Sequence, residues 1–277
     1  MSMPRYFKYR NAWLFEGAPH NETLLDKTEQ KAILKQGGLL IRNTYDFDYP
    51  EQTSFWNVIK DRFEGMEGLT ANTKSRVNKA LEGLEIKLTD FSLFEQQGYD
   101  ILKATYKDYS VSDRRMDKAY FTEYLARCQG RDYDCWGIFD KSTGKMVGFQ
   151  TIWLWGDSCQ LDLIGVLPEY KRNQTFPYYG LFYTVSQYYL QEKGLRYITD
   201  GTRSITEHSN IQSFLEEKFH FRKSYCHLAV HYQWWMKIAV KILYPFRKII
   251  TGSRVKAILN MESMTRPSLR AKRSKKK

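Results

Sequence analysis

No apolar run in this chain approaches the ~20 residues that a membrane-spanning helix needs. The opening Met-Ser-Met-Pro-Arg-Tyr-Phe-Lys-Tyr-Arg has no apolar signal core. Both absences lead to the expectation of a cytoplasmic protein. Cysteine is scarce: four residues, at 128, 135, 159 and 226, with no Cys-x-x-Cys pair and no accompanying His cluster. Neither a disulfide framework nor a metal centre is expected from that spacing, and the thiols read as reduced and structural. Internal repeats and low-complexity stretches are absent before the C-terminal tail, which argues against solenoids and arrays.

What the chain has in plenty is aromatic surface. Aromatic content is 16%, with 20 Tyr and 7 Trp among 277 residues. That is enough to line a deep pocket as well as a core, in one large domain or two modest ones. Charged content of 27% and apolar content of 42% are globular values. The formal charge of +12 is unevenly spread. From Trp234 onward 13 Lys and Arg face one acid, Glu262, whereas the preceding 233 residues hold thirty of each sign. The excess therefore describes a basic arm, not a globally nucleic-acid-like surface.

Residues 1–68 have the weakest pattern. Short strands are expected at 38–43 and 45–49, and the spacing of Phe55, Val58, Ile59 and Phe63 predicts a helix over 53–63. A second helix over 72–82 would start at Asn72 and stop at Gly83. From there the order tightens: a strand at 85–88, helices at 91–109 and 116–128, and strands at 135–139 and 146–153 joined as a hairpin through Gly144. A strand at 160–166, a helix at 178–193, a strand at 195–199, a helix at 209–218 and a strand at 223–232 follow.

The stretch after Val166 carries the chemistry. Strand 160–166 enters Leu167-Pro168-Glu169-Tyr170-Lys171-Arg172 and then a helix that Pro177 can start, a geometry that holds phosphates. Lys171 and Arg172 are the cations of that loop. Asp162 lies on the strand before it, where alternation puts it with Ile164 and Val166. Apolar surroundings would raise its pKa for general-base work, or it pairs with an Arg of a neighbouring strand. Asp200-Gly201-Thr202-Arg203-Ser204 ends the next strand. Arg203 there can clamp a carboxylate or phosphate, and Asp200 can orient it or meet an amine; an internal ion pair is the alternative for both. His208 stands beside the next helix start with a near-neutral ordinary pKa, and Ser209 with Gln212 has capping-box spacing. Ser204, Tyr178 and Tyr179 complete the substrate candidates.

The order over 85–232 is β-α-α-β-β-β-α-β-α-β. With the 140–148 hairpin, Val166-Leu167-Pro168-Glu169-Tyr170-Lys171 and Asn210 ahead of Phe219-His220-Phe221, it resembles the GNAT N-acyltransferase superfamily. The resemblance implies an α+β fold: a mixed, bent sheet with helices on both faces. It also implies transfer of an acyl group from a thioester, acyl-CoA or acyl carrier protein, to an amine, with no permanently bound cofactor. On that pattern, backbone N–H groups near Val166 and Pro168, with Lys171, Arg172 and Asn210, would hold the carrier. Asp162, Asp200 and His208 would be the acid–base candidates. The chain departs from the pattern in one respect: seven residues without glycine follow Arg172, and the first glycine is Gly180. This leaves a non-catalytic adaptor of the same fold as one alternative. Residues 73–86, with Arg76 and Lys79 at positions that can meet phosphates, are similar to a segment of Fem-type aminoacyltransferases. That similarity implies aminoacyl-tRNA as the donor and makes the N-terminal region a truncated second lobe.

The sequence thus divides into an extension (1–84), the GNAT-like region (85–233), a basic arm (234–265) and a Lys/Arg tail (266–277) expected to be disordered. Wound as a helix, 234–250 gathers Lys237, Lys241 and Lys248 in a narrow arc beside Ile238, Ile242, Ile249 and the Trp pair, with a kink at Pro245. Such a helix suits an anionic membrane surface on the inner face of a membrane, which would make a lipid or sugar amine a sensible acceptor. Docking on the protein's own sheet, and contact with tRNA through the same charges, are the alternatives.

Overall fold

The computed structural model describes residues 5–9, 11–107, 117–205 and 210–266. In chain order its elements are β1 (Tyr6–Tyr9), β2 (Ala12–Phe15), α1 (Lys27–Lys35), β3 (Leu40–Tyr45), β4 (Phe55–Lys60), α2 (Ala71–Gly83), β5 (Leu84–Leu88), α3 (Phe91–Lys107) and α4 (Lys118–Gln129). There follow β6 (Tyr133–Asp140), β7 (Met146–Leu154), β8 (Ser158–Val166), α5 (Pro168–Arg172), α6 (Pro177–Ser186), β9 (Tyr197–Thr202), α7 (Ile211–Phe219), β10 (Arg222–Tyr232), α8 (Trp234–Leu243) and α9 (Ser253–Thr265). Two compact units result. The larger comprises Ile59–Gly201 and Ile211–Arg222; the smaller comprises Met1–Val58, Thr202–Asn210 and Lys223–Lys277. They are discontinuous, whereas the sequence divides the chain at 84 and 233. The reason is that β10 returns to pair antiparallel with β3, and no shift in composition marks a returning strand.

In the larger unit the strands stand in the order β9-β8-β7-β6-β5. Pairing is antiparallel from β5 to β8 and parallel between β8 and β9. The β6–β7 hairpin is fixed by Asp140, whose carboxylate accepts from Ser142 N (2.8 Å) and Ser142 Oγ (2.6 Å), while Gly144 takes a φ of 69° that an L side chain resists. Helices cover both faces of this sheet, which explains why β7 is buried without alternation from Met146 to Trp153, Gln150 and Thr151 included. On one face α3 and α4 pack over Phe149, with the Phe94 ring 4.7 Å from it. On the other, α6 and the π-helical turn Gln187–Glu192 bring Tyr189 against Trp136. The predicted helix 178–193 is therefore two helical forms in succession.

The predicted helix over 53–63 is instead strand β4. Phe55 and residues 57–60 of β4 are buried, so the apolar spacing came from a strand covered on both sides. The predicted strand pair at 38–49 is one strand, β3, because Asp46 and Asp48 take positive φ and turn the chain. Helix α2 starts from Thr70, whose side chain accepts from Thr73 N, rather than from Asn72.

The smaller unit orders its strands β1-β2-β3-β10, with β2 parallel to β3. Asp26 and Glu29 form a complete capping box on α1. The buried Glu22 carboxylate accepts from Asn43 Nδ2 (3.0 Å), Tyr6 Oη (3.2 Å) and Thr44 Oγ1. Leu40, Phe55, Cys226, Leu228 and Met261 of α9 make one core cluster. The arm is thus divided: α9 docks on its own sheet, while α8 ends at a 3-10 turn around Pro245. The expected disordered tail from 267 on lies outside the described residues.

Gly180, the first glycine after the basic loop, serves packing. A Cβ there would stand 2.7 Å from Ile86 Cδ1 and 3.0 Å from Ala80 Cβ, where α6 crosses α2 and β5. Gly180→Ala should lower the chemical-denaturation free energy by about 1–3 kcal/mol through overpacking. Gly83→Ala, with nothing within 4 Å of the new Cβ, should leave it unchanged or raise it by up to ~1 kcal/mol. Equal behaviour of the two variants would contradict this packing role.

Candidate functional site

Strands β8 and β9 pair only through Ser158↔Tyr197, Cys159↔Ile198 and Gln160↔Thr199, although β8 runs on to Val166 and β9 to Thr202. Beyond Gln160 the two strands part. Parallel strands that stop pairing expose edge N–H and C=O groups to whatever enters between them. On its other edge β8 carries an irregularity: Asp162 and Leu163 both stand opposite Thr151, whose Oγ1 accepts from Leu163 N at 3.1 Å. A bulge of this kind turns a side chain to the other face and increases local twist.

That bulge relocates Asp162. Strict alternation groups it with Ile164 and Val166, but the extra residue sends it to the face of Thr151, Tyr124 and Tyr133. There its Oδ2 accepts from Tyr133 Oη (2.7 Å), Tyr124 Oη (3.0 Å) and Arg127 Nη2 (3.1 Å). Burial, and after it the Asp162 charge, push both phenols up. The carboxylate is thus committed to an internal ion pair, with an Arg from helix α4 rather than from a strand. Arg127 and Tyr124 share one helix face at a spacing of three; nothing in the sequence marks Asp162 as their partner.

The loop after β8 is furnished differently from the family pattern. The Val166 N–H donates to Thr105 Oγ1 (2.9 Å) and the Leu167 N–H to Val147 O (2.9 Å). Pro168 has no N–H. The expected backbone cradle at Val166 and Pro168 is therefore already spent on internal bonds. Lys171 and Arg172 lie in the last turn of the short α5, and Lys171 Nζ stands 5.5 Å over the Tyr178 ring. Tyr178 stacks on Phe182, while Tyr179 is buried and accepts from Arg76 Nη1 at 2.7 Å. Phe176 caps α6 in the left-handed region, and its ring faces Arg76 (5.1 Å) and Lys79 (5.7 Å). The basic face of α2 thus meets aromatic rings of the α6 entrance, and these aromatic residues lie against α2.

Asp200 is the first residue of β9 past the last paired couple. It shares the Ile198 side of the strand, the face that α6 covers and the one opposite Asp162. Burial pushes its carboxyl from the usual 3.8 up to about 7, and a hydrogen bond from the Gln212 side chain of α7 pulls partly back. Sequence spacing gives Gln212 only a capping role. Gly201 follows with a φ of 82°, and its N–H donates to Thr199 Oγ1 at 2.9 Å. Arg203 belongs to the smaller unit. Its Nη1 donates to Ser54 O (2.7 Å) and its guanidinium lies 4.2 Å over the Trp56 ring, so its fork is engaged inside the protein. Ser204 and Asn210 are exposed. His208 and Ser209 lie outside the described residues. Among the described residues no group of three His, Cys, Asp or Glu is placed to hold a metal ion. The four thiols are buried, and burial raises those of Cys128, Cys135 and Cys226 to about 12.

No protein-family model matches this sequence, and no curated protein matches it. Solved structures do match. FemX superposes with a TM-score of 0.53 at 12% identity, over 79% of this chain and 81% of that one. The C-terminal (DUF2156) domain of an Agrobacterium fabrum protein named as a putative lysylphosphatidylglycerol synthetase gives 0.52 at 11%, over 86% and 84%. L-PGS from Bacillus licheniformis gives 0.50 at 12%, over 95% and 85%. The fold is thus similar to that of FemX and of the lysylphosphatidylglycerol synthetase domains, an α+β arrangement of a mixed sheet with helices, as the order of elements implies.

The two carboxylates should answer differently to neutralisation. Asp162→Asn leaves Arg127 partly buried beside a neutral amide and should cost about 2–4 kcal/mol at neutral pH. Asp200 holds its proton in the folded state up to about 7 but only to about 4 when unfolded. Its contribution therefore falls as pH rises from about 4 to about 7 and is flat above. Asp200→Asn should remove that slope and stabilise the protein by about 1–3 kcal/mol at pH ~8. Denaturation midpoints across pH check both; a destabilised Asp200→Asn at alkaline pH would contradict the assignment.

Proposed function

We propose that the chain is an acyltransferase that moves an acyl group from an activated ester to an amine, with Asp200 as the proton acceptor. The observation that carries this reading is the position of Asp200, the first residue of β9 past its last couple with β8, where burial pushes its carboxyl up to about 7. A general base works best with a pKa close to the operating pH. In the step, the amine nitrogen bonds to the acyl carbon as Asp200 takes its proton. The carbon–oxygen or carbon–sulfur bond to the carrier then breaks, and the carrier's oxygen or sulfur leaves with the proton that Asp200 took, which restores the carboxylate.

The donor we favour is an aminoacyl ester on tRNA. Two things support it. The FemX and lysylphosphatidylglycerol synthetase structures are matched over four-fifths or more of their own length, and the Fem resemblance implies that donor. The backbone amides that would hold a coenzyme A pyrophosphate at Val166 and Leu167 are engaged. A thioester donor, and a non-catalytic adaptor, are the competing readings.

A transfer assay with labelled aminoacyl-tRNA, acetyl-CoA, long-chain acyl-CoA and acyl carrier protein, each offered to a panel of primary amines, separates them. Label should move from aminoacyl-tRNA, and kcat/KM should rise with pH through an inflection near 7. Asp200→Asn should lower kcat by roughly 100-fold or more and abolish that inflection. Transfer from a thioester alone would replace the donor. Transfer unaffected by Asp200→Asn would remove the base, and no transfer from any donor would favour the adaptor.

A further inference from the structure

Helix α8 has its apolar side turned outward. Among the described residues Trp234 is 74% exposed, Trp235 47%, Ile238 53%, Ile242 61%, Phe246 54% and Ile249 75%, whereas Val240 is 5% exposed. At ~100° per residue, Trp234, Trp235, Ile238 and Ile242 span an arc of about 100°, and Val240 lies almost opposite its centre. An amphipathic surface helix normally buries its apolar stripe against the core. Here one residue anchors the helix, and the stripe faces away from the protein.

Lys237 and Lys241 flank this stripe on one edge, and both are exposed. Arg247 and Lys248 continue the positive charge along the turn that carries Phe246 and Ile249. Glu262, the one acid from Trp234 onward, accepts from Arg266 Nη2 at 3.0 Å and from Tyr232 Oη at 3.1 Å, so it is engaged within the unit. Among the described residues no helix is long and apolar enough to cross a membrane.

We infer that α8 and the turn after it form a docking face for an anionic lipid bilayer. Trp234 and Trp235 sit at the interface, the isoleucines and Phe246 enter the acyl boundary, and Lys237, Lys241, Arg247 and Lys248 meet lipid phosphates. The charge decides between occupants. A second copy of this chain would bring a like-charged face against this one, and a nucleic acid would use the cations but leave the apolar stripe in water. An anionic bilayer satisfies both at once. This inference stands independently of the transfer reaction.

The test is flotation of the full-length chain with vesicles of phosphatidylcholine alone and with roughly one-third phosphatidylglycerol. The chain should float with the anionic vesicles only, with a blue shift of tryptophan fluorescence. Because the substituted residues are exposed, the fold should survive, which circular dichroism checks. Ile238→Asp with Ile242→Asp should lower the bound fraction at least about tenfold with all cations retained. Lys237→Glu with Lys241→Glu should do the same at low salt. Four results would overturn the inference: no flotation; flotation indifferent to the isoleucine substitutions, which is a charge effect only; equal flotation with neutral vesicles; or a concentration-dependent dimer that Ile238→Asp breaks and vesicles do not.

Discussion

The site depends on β8 and β9 pairing at three couples and no further. A parallel pair of strands ordinarily continues until one of them ends. Here both continue apart from each other, β8 for six residues to Val166 and β9 for three to Thr202. The bulge opposite Thr151 adds twist to β8 just where pairing with β9 is lost. What lies beyond follows from that parting: a stretch of β8 that no longer pairs with β9, and Asp200 as the first side chain of β9 past the join.

The two aspartates show how one sheet sets opposite roles for the same group. Asp162, turned by the bulge, meets an arginine and two phenols that stabilise its charge. Asp200, on the other face, has burial against its charge and one amide in its favour. The first arrangement holds α4 to the sheet. The second pushes its carboxyl up to about 7. In the smaller unit, Arg203 is bound over Trp56 and to Ser54, so the cation that the sequence offers as a clamp is structural.

Much of the larger unit is legible because its elements obey simple periods. Residues 85–232 show their helices and strands in order, apart from the short α5, and the hairpin signal at Gly144 places β6 against β7. The misses have physical causes. β4 reads as a helix because a strand buried on both faces loses its alternation. Alternation puts Asp162 on the wrong face because a bulge is one extra residue with no residue-type signature. The amides after Val166 look available because the partner, Thr105 Oγ1, lies 61 residues away. Asp200 stands out as a turn residue at a strand end, but its environment cannot be read without Gln212 beside it. In the arm, composition locates the charge, yet only the structure divides it into a docked α9 and an outward-facing α8.

The proposed transfer turns on the protonation of one side chain. A carbon-13 NMR titration of the aspartate carboxyls, with Asp200→Asn to assign the resonance, measures it directly. The expected result is a midpoint near 7 for Asp200 in the folded protein. A midpoint close to the ordinary 3.8 would mean that the carboxylate is solvated and charged throughout, and would contradict the proposal that it is the base at the parting of β8 and β9.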